Sequence, residues 1–267
     1  MGPSRMNPKQ HAQQQDGCVD RQPQVAEALK ALELHDMCSS VHKLEQYVAL
    51  LMHWNRRVNL TAIRDEASIW TLHLLDCLAV LPLLRNRLRR RPDSATASEA
   101  GPSVTVLDAG TGAGLPAILL ALGEPNWRVF AVDAVDKKIV FLRHAAASLG
   151  LRGLIPMHAR LEQLELSQKA HPGWPQRGFD IVVSRAFASL SDFVQNTRHL
   201  CGPGGFFCAM KGQTPAAEIE AFQQAFPGWL LETMTLNVPG LDAQRCAVIM
   251  HAPCPSNDST ILAKEPT

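Results

Sequence analysis

The residues best suited to chemistry stand in and around the segment LDAGTGAGLP. Gly110, Gly112 and Gly114 alternate with small residues, directly after an apolar run and before a helical pattern. Asp108 precedes the glycines, and Asp133 ends the next apolar run. In a doubly wound sheet the first strand-to-helix turn lies at the switch point where ligands bind. The segment therefore predicts a site for a nucleotide-like ligand.

The spacing of the glycines narrows the identity of that ligand. Leu115 stands where a dinucleotide fingerprint needs its third glycine, and the sequence contains no P-loop motif. Asp108 would repel a pyrophosphate but suits an ammonium group, and Asp133 could accept both hydroxyls of a ribose. S-adenosylmethionine carries an ammonium group, a sulfonium and a ribose, so we predict it as the cofactor. The open alternative is that the glycines only form a tight turn, which Asp108 caps.

The sequence also bears on the acceptor of a methyl group. After the fourth predicted strand, the segment SRAFASL lacks the Asn/Asp-Pro-Pro-aromatic motif of exocyclic-amine methyltransferases. It also lacks a Pro-Cys pair that could supply a cysteine nucleophile. The acceptor is therefore nucleophilic as it stands, or is activated by groups that the sequence does not reveal.

The elements that must position these residues alternate between strands and helices from residue 104 onward. This order predicts right-handed βαβ units and a parallel sheet covered on both faces, the α/β Rossmann-like fold of class I methyltransferases. The segments LLETMTLNV and RCAVIMHA predict a closing hairpin, and GPGG predicts a turn before the fifth strand. We expect five segments: a disordered extension at 1–23, a helical segment at 24–84, a basic linker at 85–103, the methyltransferase domain at 104–252 and a loose tail at 253–267.

Composition excludes several classes of protein. The 267 residues are 46% hydrophobic and 19% charged, as in a soluble globular protein, and the net charge is +1. No charge-free apolar run is long enough to predict a transmembrane helix. The seven cysteines form no C-x-x-C pair, which favours reduced thiols in a cytoplasm over disulfides or a metal site. Between His53 and Arg91, arginines exceed acidic residues by five, which is a local basic surplus.

Five motifs together resemble one family. NRRVNLTAI, HLLDCL, LDAGTGAGLP, SRAFASL and MKGQ occur in the order and spacing of the bacterial 16S rRNA guanine-N7 methyltransferases, the glucose-inhibited division protein B family. The resemblance covers about residues 40 to 250. It implies methyl transfer to N7 of a guanine in the 530 loop of 16S rRNA, in line and without a general base. It implies cofactor contacts at the following residues: Gly110, Leu115, Leu161, Glu162 and Arg185.

For an enzyme of this kind, the sequence also suggests residues that meet the substrate. Arg185, His73 and Asp76 are the candidate catalytic residues. Arg185 could bind phosphate or the guanine edge, brace the cofactor site, or form a structural ion pair. His73 and Asp76 share one helical face, where they could line the acceptor pocket or simply stabilise packing. The predicted RNA contacts are Asn59, Thr61, Arg85, Arg87, Arg89 and Lys211.

Each RNA contact has a structural alternative: turn chemistry for Asn59 and Thr61, and solvated side chains for the arginines and Lys211. We expect a monomer that acts on 16S rRNA within the small ribosomal subunit or an assembly intermediate, with no membrane partner. Two other functions stay open from sequence alone. One is a methyltransferase for another RNA or a small molecule, and the other is a non-catalytic ribosome-binding module.

Overall fold

The computed structural model describes residues 21–90, 104–167, 171–185 and 187–253. The predicted N-terminal extension up to residue 20, the linker from 91 to 103 and the tail from 254 lie outside the described residues. The helices are α1 (Gln22–Ala31), α2 (Val41–Asn55), α3 (Glu66–Ile69), α4 (Asp76–Leu78), α5 (Leu81–Arg89), α6 (Ala117–Gly123), α7 (Asp136–Leu149), α8 (Leu190–Thr197) and α9 (Ala216–Ala225). A π-helical turn, Trp70–Leu75, joins α3 to α4.

A seven-stranded sheet forms the centre of the protein, in the order β3-β2-β1-β4-β5-β7-β6. The strands are β1 (Thr105–Ala109), β2 (Arg128–Asp133), β3 (Leu154–His158), β4 (Phe179–Ser184), β5 (Cys201–Lys211), β6 (Leu230–Thr235) and β7 (Cys246–His251). β1 to β5 run parallel, and β7 pairs antiparallel with both β5 and β6. The predicted fold class and the closing hairpin are therefore confirmed.

The sheet topology decides where side chains can meet. The first three strands are added towards one edge of the sheet and β4 is then placed on the other side of β1, so the loops that follow β1 and β4 flank the switch point. The central strands read as mostly apolar runs because both faces are covered, and all but one residue each of β1 and β4 are buried. The loops at the carboxyl edge thus rest on a rigid base.

The N-terminal helices do not stand apart from the sheet. Their buried residues form one continuous hydrophobic core with α6, α7 and one face of the sheet. A second core, built around aromatic side chains such as Phe193 and Phe207, fills the other face with α8 and α9. Because α2 and α4 pack on the first face, their polar side chains can reach the carboxyl edge of the sheet.

Two predicted boundaries were wrong. α5 continues to Arg89, so the predicted linker does not begin at residue 85. Leu84 is buried and Leu88 packs on the core, which holds these arginine-rich turns in a helix. The predicted GPGG turn lies within β5, which begins at Cys201 and shows a register shift against Phe179 and Ile181. A Cys–Gly–Pro–Gly–Gly stretch joins the sheet here because the shift absorbs the irregular backbone.

One helical stretch, Glu66–Arg89, is long and apolar enough to cross a membrane by length and composition. The sequence predicts no transmembrane helix here, because the stretch contains no charge-free apolar run of sufficient length. Two-thirds of its most apolar window, 67%, is buried inside the protein, as in the core helix of a soluble protein.

Candidate active site

The glycine loop between β1 and α6 is a tight structure that needs its glycines. Gly110, Gly112 and Gly114 have φ angles of 71°, 60° and 87°, in the left-handed region. A Cβ on Gly114 would also collide with the side chains of Leu142 and Ile118. The loop is held to β2, since the amides of Gly110 and Thr111 both donate to the carbonyl of Val132 at 3.0 Å. Backbone therefore lies exposed to a ligand at the switch point.

Asp108 lies beneath this loop. Its side chain is fully buried, and Oδ2 accepts hydrogen bonds from Thr111 Oγ1 at 2.6 Å and from the Ala117 amide at 3.1 Å. Oδ1 has no hydrogen-bond partner among the described residues. Burial raises the pKa of this carboxyl to about 7. The structure thus shows the capping role, while the contact of Oδ1 with an ammonium group remains a prediction.

Asp133 lies at the end of β2, on the other side of the loop. Its carboxylate accepts from the Gly112 amide at 3.0 Å and from the Val135 amide at 2.9 Å. Lys138 Nζ lies 3.2 Å from the same carboxylate. The side chain is therefore fixed in one orientation before any ligand binds. The predicted ribose contact stays a prediction.

The other predicted cofactor contacts surround the same edge. Leu115 is buried at the end of the glycine loop. Leu161 and Glu162 begin a 3₁₀ turn (Leu161–Gln163) after β3, with Leu161 half-buried and Glu162 exposed. Tyr47 on α2 donates from its hydroxyl to the Ala113 carbonyl at 2.9 Å. It ties α2 to the glycine loop.

Arg185 follows β4 and is the centre of a polar cluster. Nη2 lies 2.7 Å from His73 Nδ1, and Nη1 donates to the Cys77 thiol at 3.0 Å. The nearest carboxylate, Asp76 Oδ2, is 3.9 Å from Nη1. Burial raises the pKa of the Cys77 thiol to about 11, so Cys77 is a neutral acceptor at neutral pH. Arg185 is therefore held mainly by neutral partners.

His73 must be neutral with its proton on Nε2. A guanidinium can only donate, so Nδ1 accepts from Arg185 and Nε2 donates to Thr61 Oγ1 across 2.6 Å. Burial and the charge of Arg185 lower the pKa of His73 to about 4. Thr61 Oγ1 also accepts from the Ile63 amide at 3.1 Å. A continuous chain of hydrogen bonds thus joins β4 to the loop 56–65.

Asn55 organises that loop, and sequence reasoning missed it. Its Oδ1 accepts from the amides of Leu60 and Thr61, and its Nδ2 donates to the carbonyls of Thr61 and Ile63. The sequence did contain a signal, because Asn55 is the first residue of the NRRVNLTAI motif, at the carboxyl end of α2. Asn59, by contrast, is exposed and accepts only from Arg64. Of the two predicted loop residues, only Thr61 joins the polar cluster.

A cleft of about 360 Å³ opens beside Arg185. It brings together four of the predicted residues, His73, Asp76, Arg185 and Lys211. It also includes a cation that sequence reasoning missed, Arg245. The remaining lining residues are Ile63, Leu72, Met210, Gly212, Leu236 and Cys246. Arg245 directly precedes β7 and belongs to none of the recognised motifs, so no local pattern marked it.

The charged groups of the cleft are paired. Arg245 Nε donates to Asp76 Oδ1 at 3.0 Å. Burial raises the pKa of the Asp76 carboxyl, although Arg185 and Arg245 oppose that shift. Lys211 Nζ donates to Glu218 Oε2 at 2.8 Å and to the Phe187 carbonyl at 3.3 Å. Among the described residues, no group of three or more His, Cys, Asp or Glu side chains could hold a metal ion.

The predicted RNA contacts on α5 lie outside this cleft. Arg85 is only 16% exposed and forms ion pairs with Asp36, at 2.6 Å, and with Glu124. Arg87 forms an ion pair with Glu232 on β6. Arg89 is the last residue of α5. The structural alternative is therefore favoured for Arg85 and Arg87, whose charges are matched within the protein.

A glycine loop between two strand-end carboxylates, beside a polar cleft on a Rossmann-like sheet, defines an S-adenosylmethionine-dependent methyltransferase. Comparison with known proteins identifies the particular family. Residues 40–247 match the family described as GidB: rRNA small subunit methyltransferase G. The chain belongs to this family, as its motifs predicted.

Curated relatives agree with this family over nearly their whole length. Ribosomal RNA small subunit methyltransferase G of Bordetella pertussis is 41% identical over 228 residues, which is 85% of this chain and 91% of the relative. The protein of the same name from Methylobacillus flagellatus is 40% identical over 231 residues, 86% of this chain and 98% of the relative.

Solved structures are more distant. A precorrin-6y C5,15-methyltransferase from Geobacter metallireducens is similar with a TM-score of 0.45 and 14% identity, covering 65% of this chain and 87% of that one. A SAM-dependent methyltransferase from Aquifex aeolicus has a TM-score of 0.46 and 15% identity, covering 68% and 92%.

Proposed function

We propose that this enzyme transfers a methyl group from S-adenosylmethionine to N7 of a guanine in the 530 loop of 16S rRNA. Family membership supports an rRNA of the small subunit as the substrate. The hydrogen bonding of the side chains that line the cleft supports an acceptor atom that loses no proton when it is methylated. Guanine N7 is such an acceptor, because its lone pair lies in the plane of the ring and carries no hydrogen.

The argument against a general base rests on the hydrogen bonds of the cleft. Both ring nitrogens of His73 are engaged, one by Arg185 and one by Thr61. Asp76 is paired with Arg245, and Lys211 is paired with Glu218. Among the described lining residues, the carboxylate oxygen Asp76 Oδ2 is left without a hydrogen bond, but Arg185 and Arg245 lie beside it and oppose its gain of a proton. This observation carries the proposal of a base-free transfer.

The residues around the glycine loop fit the cofactor. The Gly110 backbone can approach a ligand closely, and the Asp108 Oδ1 atom is a buried acceptor without a donor. Asp133 presents a fixed carboxylate on the other side of the loop. We infer that these residues, with Gly112, Leu115, Leu161 and Glu162, hold S-adenosylmethionine. When bound, it supplies a methyl group activated by its sulfonium.

The protein's own residues contribute by aligning the substrate with the cofactor. Arg185 follows β4, so it lies between the loop after β1 and the cleft at the ends of β5 and β7. Its partners His73 and Cys77 hold the guanidinium in place, which lets it orient a base or a phosphate beside the cofactor site. Alignment of two reactants can account for about 7–11 kcal/mol of barrier. Because N7-methylguanine is cationic, the guanidinium and ammonium groups of the cleft also favour release of the product.

The same proposal extends to the form of the substrate, the oligomeric state of the enzyme and the surface that meets the RNA. We infer that the substrate is 16S rRNA within the small subunit or an assembly intermediate, and that the enzyme acts as a monomer in the cytoplasm. We infer that RNA phosphates meet two exposed arginines, Arg56 and Arg57, which follow α2 and begin the loop that supplies Ile63 to the cleft wall. This is a different surface from the ion-paired arginines of α5.

The decisive experiment measures transfer of labelled methyl from S-adenosylmethionine to small subunits from a strain that lacks the enzyme. Naked 16S rRNA is assayed in parallel. We expect label in N7-methylguanine of the 530 loop. Label at another base, or none despite measurable cofactor binding, overturns the proposal, and the comparison of the two substrates identifies the form of RNA that is recognised.

A further inference from the structure

Among the described residues, Asp76 is the one carboxylate that lines the cleft, and only one of its two oxygens has a hydrogen-bond partner there. Oδ1 accepts from Arg245 Nε at 3.0 Å. Oδ2 lies 3.9 Å from Arg185 Nη1, which is too long for a hydrogen bond. No other donor among the described residues bonds to Oδ2, and it is not among the fully enclosed orphan atoms. An oriented acceptor therefore faces the cleft.

The surroundings make this acceptor rigid. Asp76 begins α4 directly after the π-helical turn, and the side chain is 11% exposed. Arg245 approaches from β7 and donates a second bond to its neighbour's carbonyl, that of Gln244, at 2.8 Å. The Asp76 carboxylate is thus held by Arg245, a residue far from it in the sequence. It needs no rearrangement to meet a ligand.

We propose that Asp76 recognises the Watson–Crick edge of the acceptor guanine and so determines base specificity, an inference that rests on the proposed function. Guanine presents two adjacent donors there, N1–H and the 2-amino group. An ionised carboxylate only accepts hydrogen bonds, so Oδ2 can accept from the 2-amino group together with N1–H. Adenine presents an unprotonated nitrogen at N1, which a carboxylate repels.

The position of the edge also suits the reaction. In a purine, N7 lies on the side of the ring system away from N1 and the 2-amino group. A base held by its Watson–Crick edge against Asp76 therefore leaves N7 free to face the cofactor site. Enzymes that act on a base read this edge when the base is taken out of its stack. The negative charge of Asp76 also offsets Arg185, Arg245 and Lys211 around the cationic product.

The test compares guanosine with inosine, which lacks the 2-amino group, at the target position of reconstituted small subunits. We expect the wild type to methylate inosine with kcat/KM about tenfold below that for guanosine, from the loss of one base contact. Asp76→Asn should lower kcat/KM for guanosine by tenfold or more, because its amide replaces an acceptor by a donor. In that variant the ratio of guanosine to inosine should fall towards one.

The outcomes separate the proposals. Equal rates on guanosine and inosine for the wild type, or an unchanged ratio in Asp76→Asn, refute the role of Asp76 while the proposed function stands. Failure of the wild type to methylate guanosine refutes the proposed function itself. Cofactor binding by calorimetry shows whether Asp76→Asn is folded. If that variant does not fold, the inosine measurement on the wild type still decides.

Discussion

Arg185 and His73 are 112 residues apart in the chain, yet their side chains meet across 2.7 Å. This contact joins the end of β4 to the turn between α3 and α4, and the Thr61 hydroxyl extends it to the loop 56–65. Three sequence motifs that resemble one family are therefore parts of one hydrogen-bonded cluster. The cluster determines the orientation of the guanidinium beside the cleft.

Replacement of Arg185 by alanine should lower methyl transfer by about a hundredfold or more while the protein stays folded. The loss follows because the cleft would lose its oriented guanidinium, and truncation leaves His73 Nδ1 without its donor, at a cost of about 1–3 kcal/mol in stability. Arg185→Lys should recover little activity, since an ammonium cannot reproduce the planar fork. Turnover kinetics and circular dichroism check both statements; near-normal turnover by the alanine variant contradicts the role of Arg185.

The neutrality of His73 predicts a distinct pH dependence of stability. Its pKa is lowered to about 4, whereas in the unfolded chain it titrates near the ordinary histidine value of 6.5. Between these values the unfolded state binds the extra proton, so stability falls as pH drops from 6.5 towards 4. His73→Gln should show a weaker fall of the melting temperature over this range. The control is His53→Gln, at an exposed position of α2, whose profile should follow the wild type.

Asp108 contributes the opposite pH dependence to the stability of the folded protein. Its pKa is raised from 3.8 to about 7, so the folded state keeps a proton that the unfolded state has already lost, and stability falls as pH rises from 4 to 7. Asp108→Asn keeps an oxygen for the Thr111 and Ala117 bonds and places its amide at the orphan Oδ1. We expect the variant to gain stability over the wild type as pH rises, reaching roughly 2–4 kcal/mol above pH 7. Denaturant titrations at pH 4, 6 and 8 measure this, and a gain that is the same at all three contradicts it.

The same variant tests the cofactor contact. If Asp108 Oδ1 receives the ammonium group, Asp108→Asn should weaken binding of S-adenosylmethionine by about tenfold or more, the value of a charge-assisted hydrogen bond. Calorimetry on the purified protein gives the dissociation constant. An unchanged constant would restrict Asp108 to capping the loop.

Salt dependence distinguishes the two arginine surfaces. The double variant Arg56→Gln with Arg57→Gln should reduce the slope of log binding constant against log salt by about one to two, roughly one for each lost phosphate contact. Arg87→Gln is the matched control, because its guanidinium is already paired with Glu232. We expect that variant to keep the wild-type slope for small subunits. The reverse result would place the RNA on α5.

Sequence alone was sufficient for the features that depend on local pattern. Apolar strands alternating with amphipathic helices predicted the sheet, and the residues around Gly110 to Gly114 predicted both the turn and its ligand class. Such features follow from neighbouring residues, since turn geometry and strand burial are properties of short segments. The predicted start of the linker within α5 was wrong because local sequence alone makes an arginine-rich segment look solvated. Its ion-pair partners Asp36, Glu124 and Glu232 are known only from the fold.

The tertiary structure decided which polar side chains meet. Nothing near Arg245 marks it as the partner of Asp76, 169 residues away, and nothing near Cys77 marks it as an acceptor for Arg185. These pairs arise because β7 inserts beside β5 and because α4 packs across the same sheet edge. Protonation also depends on this packing: burial beside a guanidinium keeps His73 neutral, and burial, with a smaller effect of the Asp133 charge, raises the pKa of Asp108. The residue types came from the sequence, but their charges and orientations come from the fold.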